Sequence, residues 1–171
     1  MYLHVFSKQA VKLKHLHSFV RENFDASRPS LDIAETFYVV SETPAKAELP
    51  MKTFALQSEF EAGETVRIFC RAAFASRGRD NYVKPINNQE AMVKFTLATG
   101  LTPKGREEDG LGAFARFMGR VAEKKFDIMN AFEITGTFTV ENPDTLASAV
   151  KVGIGARRSY GFGLVLVNRQ S

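Results

Sequence analysis

Cysteine is nearly absent. Cys70 is the only one in 171 residues, which excludes an internal disulfide and any metal site built from a cysteine cluster, and fits a reducing compartment. Long apolar runs are missing too: none approaches the about 18 residues that a membrane helix needs, and the N-terminus lacks the apolar core of a signal peptide. The expected location is therefore cytoplasmic, with no membrane partner. No internal repeat, low-complexity tract or long flexible linker occurs. No Gly-Lys-Ser or Gly-Lys-Thr is present, which sets nucleotide hydrolysis aside. Neither sign of charge dominates strongly, since 23 Lys and Arg face 19 Asp and Glu for a formal +4. Such a surplus suits an acidic partner but does not require one, so the distribution of charge matters more than its sum.

What the chain does have is a glycine-rich stretch near its end. Residues 153–163 read Gly-Ile-Gly-Ala-Arg-Arg-Ser-Tyr-Gly-Phe-Gly and run into Leu-Val-Leu-Val. The left flank predicts a short helix: Asn142 as N-cap, Pro143 at the first helical position, Leu146, Ala149 and Val150 as the apolar stripe, and Gly153 past the end. The right flank predicts a buried strand. Gly153, Gly155, Gly161 and Gly163 permit positive φ and close approach of another molecule, with Arg157, Arg158, Ser159 and Tyr160 in the middle of the turn. This is an anion-facing loop. It is neither a P-loop nor a dinucleotide fingerprint, because both of those run strand, glycine turn, helix, the reverse of the order here.

In chain order, residues 2–7 predict a first strand in which His4 shares a face with Tyr2 and Phe6 as a half-buried structural histidine. Residues 12–24 predict a helix with Leu13, Leu16, Val20 and Phe24 on its buried stripe. Beside that stripe Lys14, His17 and Arg21 form a second row, and His15 points away. A histidine at the margin of a core and flanked by cations is expected to keep its neutral form, the form a general base needs. The bland alternative for this row is a solvated basic helix face. A polar turn over 25–32 and strands over 36–41, 51–60 and 66–73 follow. In the last of these, Arg67, Phe69 and Arg71 share a face that suits either base stacking and phosphate pairing or plain exposure. Residues 75–88 carry Arg77, Arg79 and Lys84 between turn residues and mark the expected domain boundary.

The second half predicts a helix over 89–98, a charged loop over 103–112, and a helix over 111–123. That last helix would show Leu111, Phe114, Ala115, Met118, Val121 and Ala122 inward, with Arg116, Arg120 and Lys124 outward. Residues 132–140 alternate as a strand, with Phe132, Ile134, Gly136, Phe138 and Val140 facing in. The fold class is α+β, with a first half close to the β-α-β-β-α-β ferredoxin-like plan and a β-α-loop-β unit at the end.

The terminal loop and the pattern Leu13, Leu16-His17, Phe24 resemble the CRISPR repeat-processing endoribonucleases of the RAMP superfamily, CasE type. Those proteins end in a similar Gly-Ile-Gly, basic residue, small residue, Gly-X-Gly-Leu-Leu run. The resemblance implies two small ferredoxin-like (RRM-like) domains in tandem, 1–80 with the catalytic helix and 81–171 with the glycine-rich loop before the last strand. It implies metal-independent cleavage of precursor CRISPR RNA within its repeats, by attack of a 2′-hydroxyl that leaves a 2′,3′-cyclic phosphate. No cofactor or metal is expected. It places His17 as the catalytic histidine, with Lys14 standing where the family has a tyrosine, and Arg21 as an electrostatic helper. The glycine-loop amides with Arg157 and Arg158 would hold phosphates, while Arg77, Arg79 and Lys84 would hold the repeat hairpin. The implied partners are the CRISPR repeat stem-loop, the mature guide RNA and the other subunits of a Cascade-like effector complex. Two alternatives stay open: a catalytically inactive RNA-binding subunit, favoured by Lys14, and a ferredoxin-like protein-interaction domain without nucleic-acid function.

Overall fold

The computed structural model describes residues 1–9, 11, 15–24, 28–45, 51–56, 58–77, 83–105, 112–122, 128–156, 158 and 161–169. The first unit comprises β1 (Tyr2–Ser7), α1 (Leu16–Asn23), β2 (Ser30–Ile33), β3 (Thr36–Ser41) and β4 (Met51–Ala55). Its sheet has the order β2-β3-β1-β4 with every neighbour antiparallel. This is the ferredoxin-like strand order, here without a helix between β3 and β4 among the described residues. The strands form because β-branched and aromatic residues alternate along them: Phe37 and Val39 of β3 are buried on the face that also holds Phe6.

The second unit begins with β5 (Thr65–Phe74). It continues through the small pair β6 (Ser76–Arg77) and β7 (Val83–Lys84), α2 (Asn88–Thr99), β8 (Leu101–Pro103), β9 (Phe114–Ala122), β10 (Ile128–Val140), α3 (Pro143–Val152) and β11 (Val165–Arg169). Its sheet runs β11-β5-β10, and the outer edge of β10 is shared by β8 and β9. That is a second ferredoxin-like order. α2 starts with a full capping box, Asn87 accepting from the Glu90 amide and Glu90 accepting from the Asn87 amide, and α3 starts with Asn142 accepting from the Thr145 amide. Both helices cover one face of the sheet, burying Ala91, Phe95, Leu146 and Val150 against Phe132, Ile134 and Phe138. At about 1.5–3 kcal/mol for each fully buried large apolar side chain, this core is the main source of stability. Cys70 is wholly buried in it, and burial pushes its thiol pKa up, so it is an inert core residue.

Four expectations are corrected. The first helix starts at Leu16, because His15 is an extended N-cap. Residues 30–33 are a strand inside the span expected to be a turn, closed against β3 by a tight hairpin with Ala34 at φ 49°. β5 belongs to the second sheet, so the sheets divide the chain between Ala55 and Thr65; residues 75–88, expected as a boundary near 80, include the β6–β7 pair inside the second unit. Finally, residues 114–122 are a strand where a helix was expected. A spacing of four, as between Arg116 and Arg120, satisfies both a period of 3.6 and a period of 2, and the long run of β10 supplies the partner that decides.

His4 is structural as expected but fully buried where half-burial was expected, between two hydroxyls: its Nε2 lies 2.8 Å from Ser41 Oγ and its Nδ1 3.1 Å from Thr53 Oγ1. Since the Ser41 hydroxyl donates to the Thr43 carbonyl, it accepts from Nε2–H, which leaves Nδ1 to accept from Thr53. Burial lowers the His4 pKa from its ordinary 6.5, against a smaller opposing effect of the Thr43 backbone. Between the folded and unfolded values the unfolded chain binds more protons, so this stability is present above about 6.5 and is lost as pH falls through the folded value. The urea midpoint of the wild type should therefore drop more between about pH 7.5 and 5 than that of His4→Gln. Equal slopes would exclude His4 as the source.

Candidate functional site

α1 is fixed by its apolar side. Phe19 stands edge-on to Phe6 and Phe37, with ring centroids 5.3 and 5.2 Å away, while Phe6 and Phe37 stack at 4.7 Å. Val20 and Phe24 are buried beside them. At 100° per residue this packing leaves His17 on the margin of the buried face, half-buried, and Arg21 exposed in the last turn, where a cation suits the helix C-terminus. Lys14 lies outside the described residues.

The glycine loop leaves α3 at Gly153 (φ 72°) and fills the seam between β2 and β5. The Ala156 amide donates to the Ala73 carbonyl, Gly163 donates to Arg71 O at 2.5 Å and accepts from Ile154 N at 2.9 Å, and Gly163 bridges Ser30 of β2 in parallel. Ser30 ties the loop from the other side: its hydroxyl donates to Arg158 O and accepts from the Gly161 amide, both at 3.0 Å. A Cβ is excluded on steric grounds. At Gly163 it would stand 2.3 Å from the Ile154 carbonyl, and at Gly161 2.9 Å from Asp32 Cβ and 3.3 Å from Leu16 Cδ2. Gly161 thus rests against the residue that precedes His17, so the loop and the start of α1 are neighbours.

This arrangement changes the expected use of the loop. The amides of Gly153, Gly161 and Gly163 donate to Ala149 O, Ser30 Oγ and Arg71 O, so they support the fold. Gly155 is exposed, and Arg157, Ser159 and Tyr160 lie outside the described residues. Arg158 is exposed, but its Nη1 donates to Val152 O at 3.0 Å, capping the end of α3, and its stem lies against Gly153 and Gly163. Of the basic segment, Arg77 is in β6, Lys84 is exposed in β7, and Arg79 lies outside the described residues.

Arg71 is likewise spent in the interior. Its Nε and Nη2 donate to Glu133 Oε2 at 3.1 and 3.0 Å, its Nη1 donates to the Asp32 carbonyl at 2.8 Å, and Arg116 Nη2 holds the other Glu133 oxygen at 2.6 Å. Phe69 packs with Leu31, Val40 and Leu164 where the two sheets meet. Of the face Arg67, Phe69, Arg71, only Arg67 is exposed. Ser30 and Asp32 were missed in the sequence because their stretch read as a turn; the alternation Ser-Leu-Asp-Ile before a tight reversal was the available signal. Among the described residues, no group of three or more His, Cys, Asp or Glu could hold a metal ion. None of the helices there is long and apolar enough to cross a membrane.

The strand orders define a protein of two tandem ferredoxin-like units joined at a glycine-loop seam. Comparison with known proteins makes this specific. Residues 114–169 match the family model described as CRISPR associated protein. The whole fold is that of the CasE-type CRISPR processing proteins. It superposes on the CRISPR endoribonuclease Cse3 bound to a 19-nt RNA with a TM-score of 0.71 at 15% identity, covering 98% of this chain and 100% of that one. Cas6e of Escherichia coli K-12 gives 0.66 at 14% identity, covering 99% and 100%, and Thermus thermophilus Cse3 bound to an RNA representing a pre-cleavage complex gives 0.64 at 16%, covering 98% of both. No curated protein matches the sequence.

Gly163→Ala combines positive φ with a clash against backbone, so it should cost more than the about 1–2 kcal/mol of left-handed strain alone and lower the melting temperature by at least about 4 °C. Calorimetry measures it. An unchanged midpoint would mean that the seam is loose enough to admit a side chain.

Proposed function

We propose that this protein is a metal-independent endoribonuclease that cleaves precursor CRISPR RNA within its repeats and stays with the product in a Cascade-like effector complex. The observation that carries the reading is the closeness of Gly161 to Leu16, whose Cδ2 a Cβ at Gly161 would meet at 3.3 Å, so that the glycine loop and the helix of His17 are neighbours in a chain with the Cse3 fold. The structures it resembles include Cse3 bound to RNA and a chain of a CRISPR RNA-guided surveillance complex, the latter at a TM-score of 0.62 and 15% identity over 99% of this chain and 100% of that one. The protein works in the cytoplasm.

In the reaction, the 2′-oxygen beside the scissile phosphate forms a bond to phosphorus as the bond to the 5′-oxygen breaks. The products are a 2′,3′-cyclic phosphate and a 5′-hydroxyl, and no water is consumed. A proton leaves the 2′-hydroxyl and one reaches the 5′-oxygen; His17 serves as the base or the acid of that exchange. Arg21, one turn further along α1, and Lys14 add positive charge near the phosphate as negative charge grows on it. Arg158 lends one face of its guanidinium to an RNA phosphate while its Nη1 caps α3, and Arg157, Arg77, Arg79 and Lys84 track the repeat backbone. Lys14 in place of the family tyrosine supports one other reading, a subunit that binds the repeat without cutting it.

Cleavage of repeat RNA in excess EDTA tests the assignment. The wild type should cut, His17→Ala should lose roughly 10²–10⁴-fold in rate, and a 2′-deoxy nucleotide at the cut should abolish the reaction. Tight binding with no cleavage by the wild type would establish the non-cutting subunit instead. Binding should also weaken by about 0.7–0.9 log units per phosphate contact for each tenfold rise in salt.

A further inference from the structure

Away from the His17 region, a cavity of about 460 Å³ opens at the start of α2, lined by Ile86, Asn87, Asn88, Gln89, Phe117, Asn130 and Phe132. Its volume is in the range of small-ligand sites, and its walls are mostly apolar. Asn130 lines it with only 9% of its surface exposed. The orientation of its amide is set by chemistry: Nδ2 donates to the Ile86 carbonyl at 2.8 Å, a partner that only accepts, so the other atom is the oxygen. That oxygen is buried and has no hydrogen-bond partner among the described residues. Burying such an acceptor with nothing donating to it is unfavourable, so its presence at a cavity calls for a donor.

The rest of the cavity specifies the donor's shape. Phe117 is half exposed and stands edge-on to Phe132 at 6.1 Å between centroids, so one aromatic ring is offered at the mouth. The β9–β10 register slips between Ala131 and Phe132, setting Phe117 opposite Phe132 with Met118 as the additional residue, a bulge of the kind that re-aims side chains. Arg120 lies directly across from Asn130 and is exposed, and exposed Lys84 stands two residues before Ile86. No carboxylate lines the cavity.

We infer that this cavity takes one unpaired nucleobase of a bound RNA, stacked on Phe117 and donating an N–H to Asn130 Oδ1, with Arg120 and Lys84 holding the flanking phosphates. The inference rests on the RNA-binding reading above and adds a base-reading site to it. A base in a duplex has its Watson–Crick edge engaged, so the site selects single-stranded nucleotides. The same cations would also attract an acidic peptide side chain, but an aromatic base supplies both the stacking face and the donor in one group.

The test compares two single-stranded heptamers, oligouridylate and its abasic counterpart, by fluorescence anisotropy at one salt concentration. The proteins are the wild type, Phe117→Ala, Phe117→Tyr and Asn130→Leu. Wild type should prefer the base-containing strand, and Phe117→Ala should lower that preference by roughly 5- to 150-fold, the range for one base–aromatic stack. Affinity for the abasic strand should stay unchanged in that variant. Phe117→Tyr, which keeps the ring, should retain the preference, and Asn130→Leu should reduce it. A preference that Phe117→Ala leaves intact would place base contacts elsewhere and overturn the inference. Equal wild-type affinity for both strands would also overturn it, leaving water or a protein side chain as the donor while the RNA reading stands. Binding to neither strand would overturn it as well, while the RNA reading is decided separately by binding and cleavage of the repeat RNA.

Discussion

The backbone of Gly163, wedged between β2 and β5, is the constraint on which the rest depends. Its amide and carbonyl pair with Arg71 and Ile154, and its neighbour across the seam is Ser30 of the other sheet. A side chain there would collide with backbone, which cannot move aside as a flexible side chain would. The loop therefore joins the two ferredoxin-like units as an added strand segment. From it β11 enters the second sheet, α3 receives its C-terminal cap from Arg158, and α1 is met at Leu16. A loop held this firmly is a scaffold that presents whatever side chains project from it, in contrast to a flexible phosphate cradle.

Charge is divided between the interior and the surface on the same plan. Arg71 and Arg116 share Glu133, and the third Arg71 contact reaches Asp32 of the first unit, so this cluster fixes the relation of the sheets. Lys8 pairs with Asp32, and Lys151 of α3 pairs with Glu42 beyond β3 at 2.5 Å. The Lys151 hydrogen bond, then its charge, lowers the Glu42 pKa; the carboxylate is exposed, so solvent screens most of the benefit. These pairs absorb cations that the composition had counted as available. Arg21, Arg67, Lys84 and Arg120 remain on the surface for an anionic partner.

Much of the fold was legible in the residues. Strand 2–7, the span of α2, the α3 boundaries with the Asn142 cap, and the alternating inward face of β10 follow from local patterns whose partners lie within a few positions. The readings that failed share a cause. Helix and strand predict the same face for Arg116 and Arg120, and only pairing with β10 separates them. β2 looked like a turn because an alternation of only four residues is too short to stand out without its pairing to β3. β5 was assigned to the wrong half because nothing in its own residues says which sheet it will join.

The candidate site divides the same way. The glycine loop and the helix of His17 are local signals, read from spacing and from the positive φ that glycine allows, and the sequence by itself determined that both would exist. It could not decide that Gly161 would rest on Leu16, that the loop amides would be consumed by Ser30 and Arg71, or that Asn130 would face a cavity with its oxygen unpaired. Those contacts join residues 44 to 145 positions apart. Local chemistry sets which backbone states a segment can adopt, whereas long-range contacts depend on how sheets pack, a property that no window of the sequence contains.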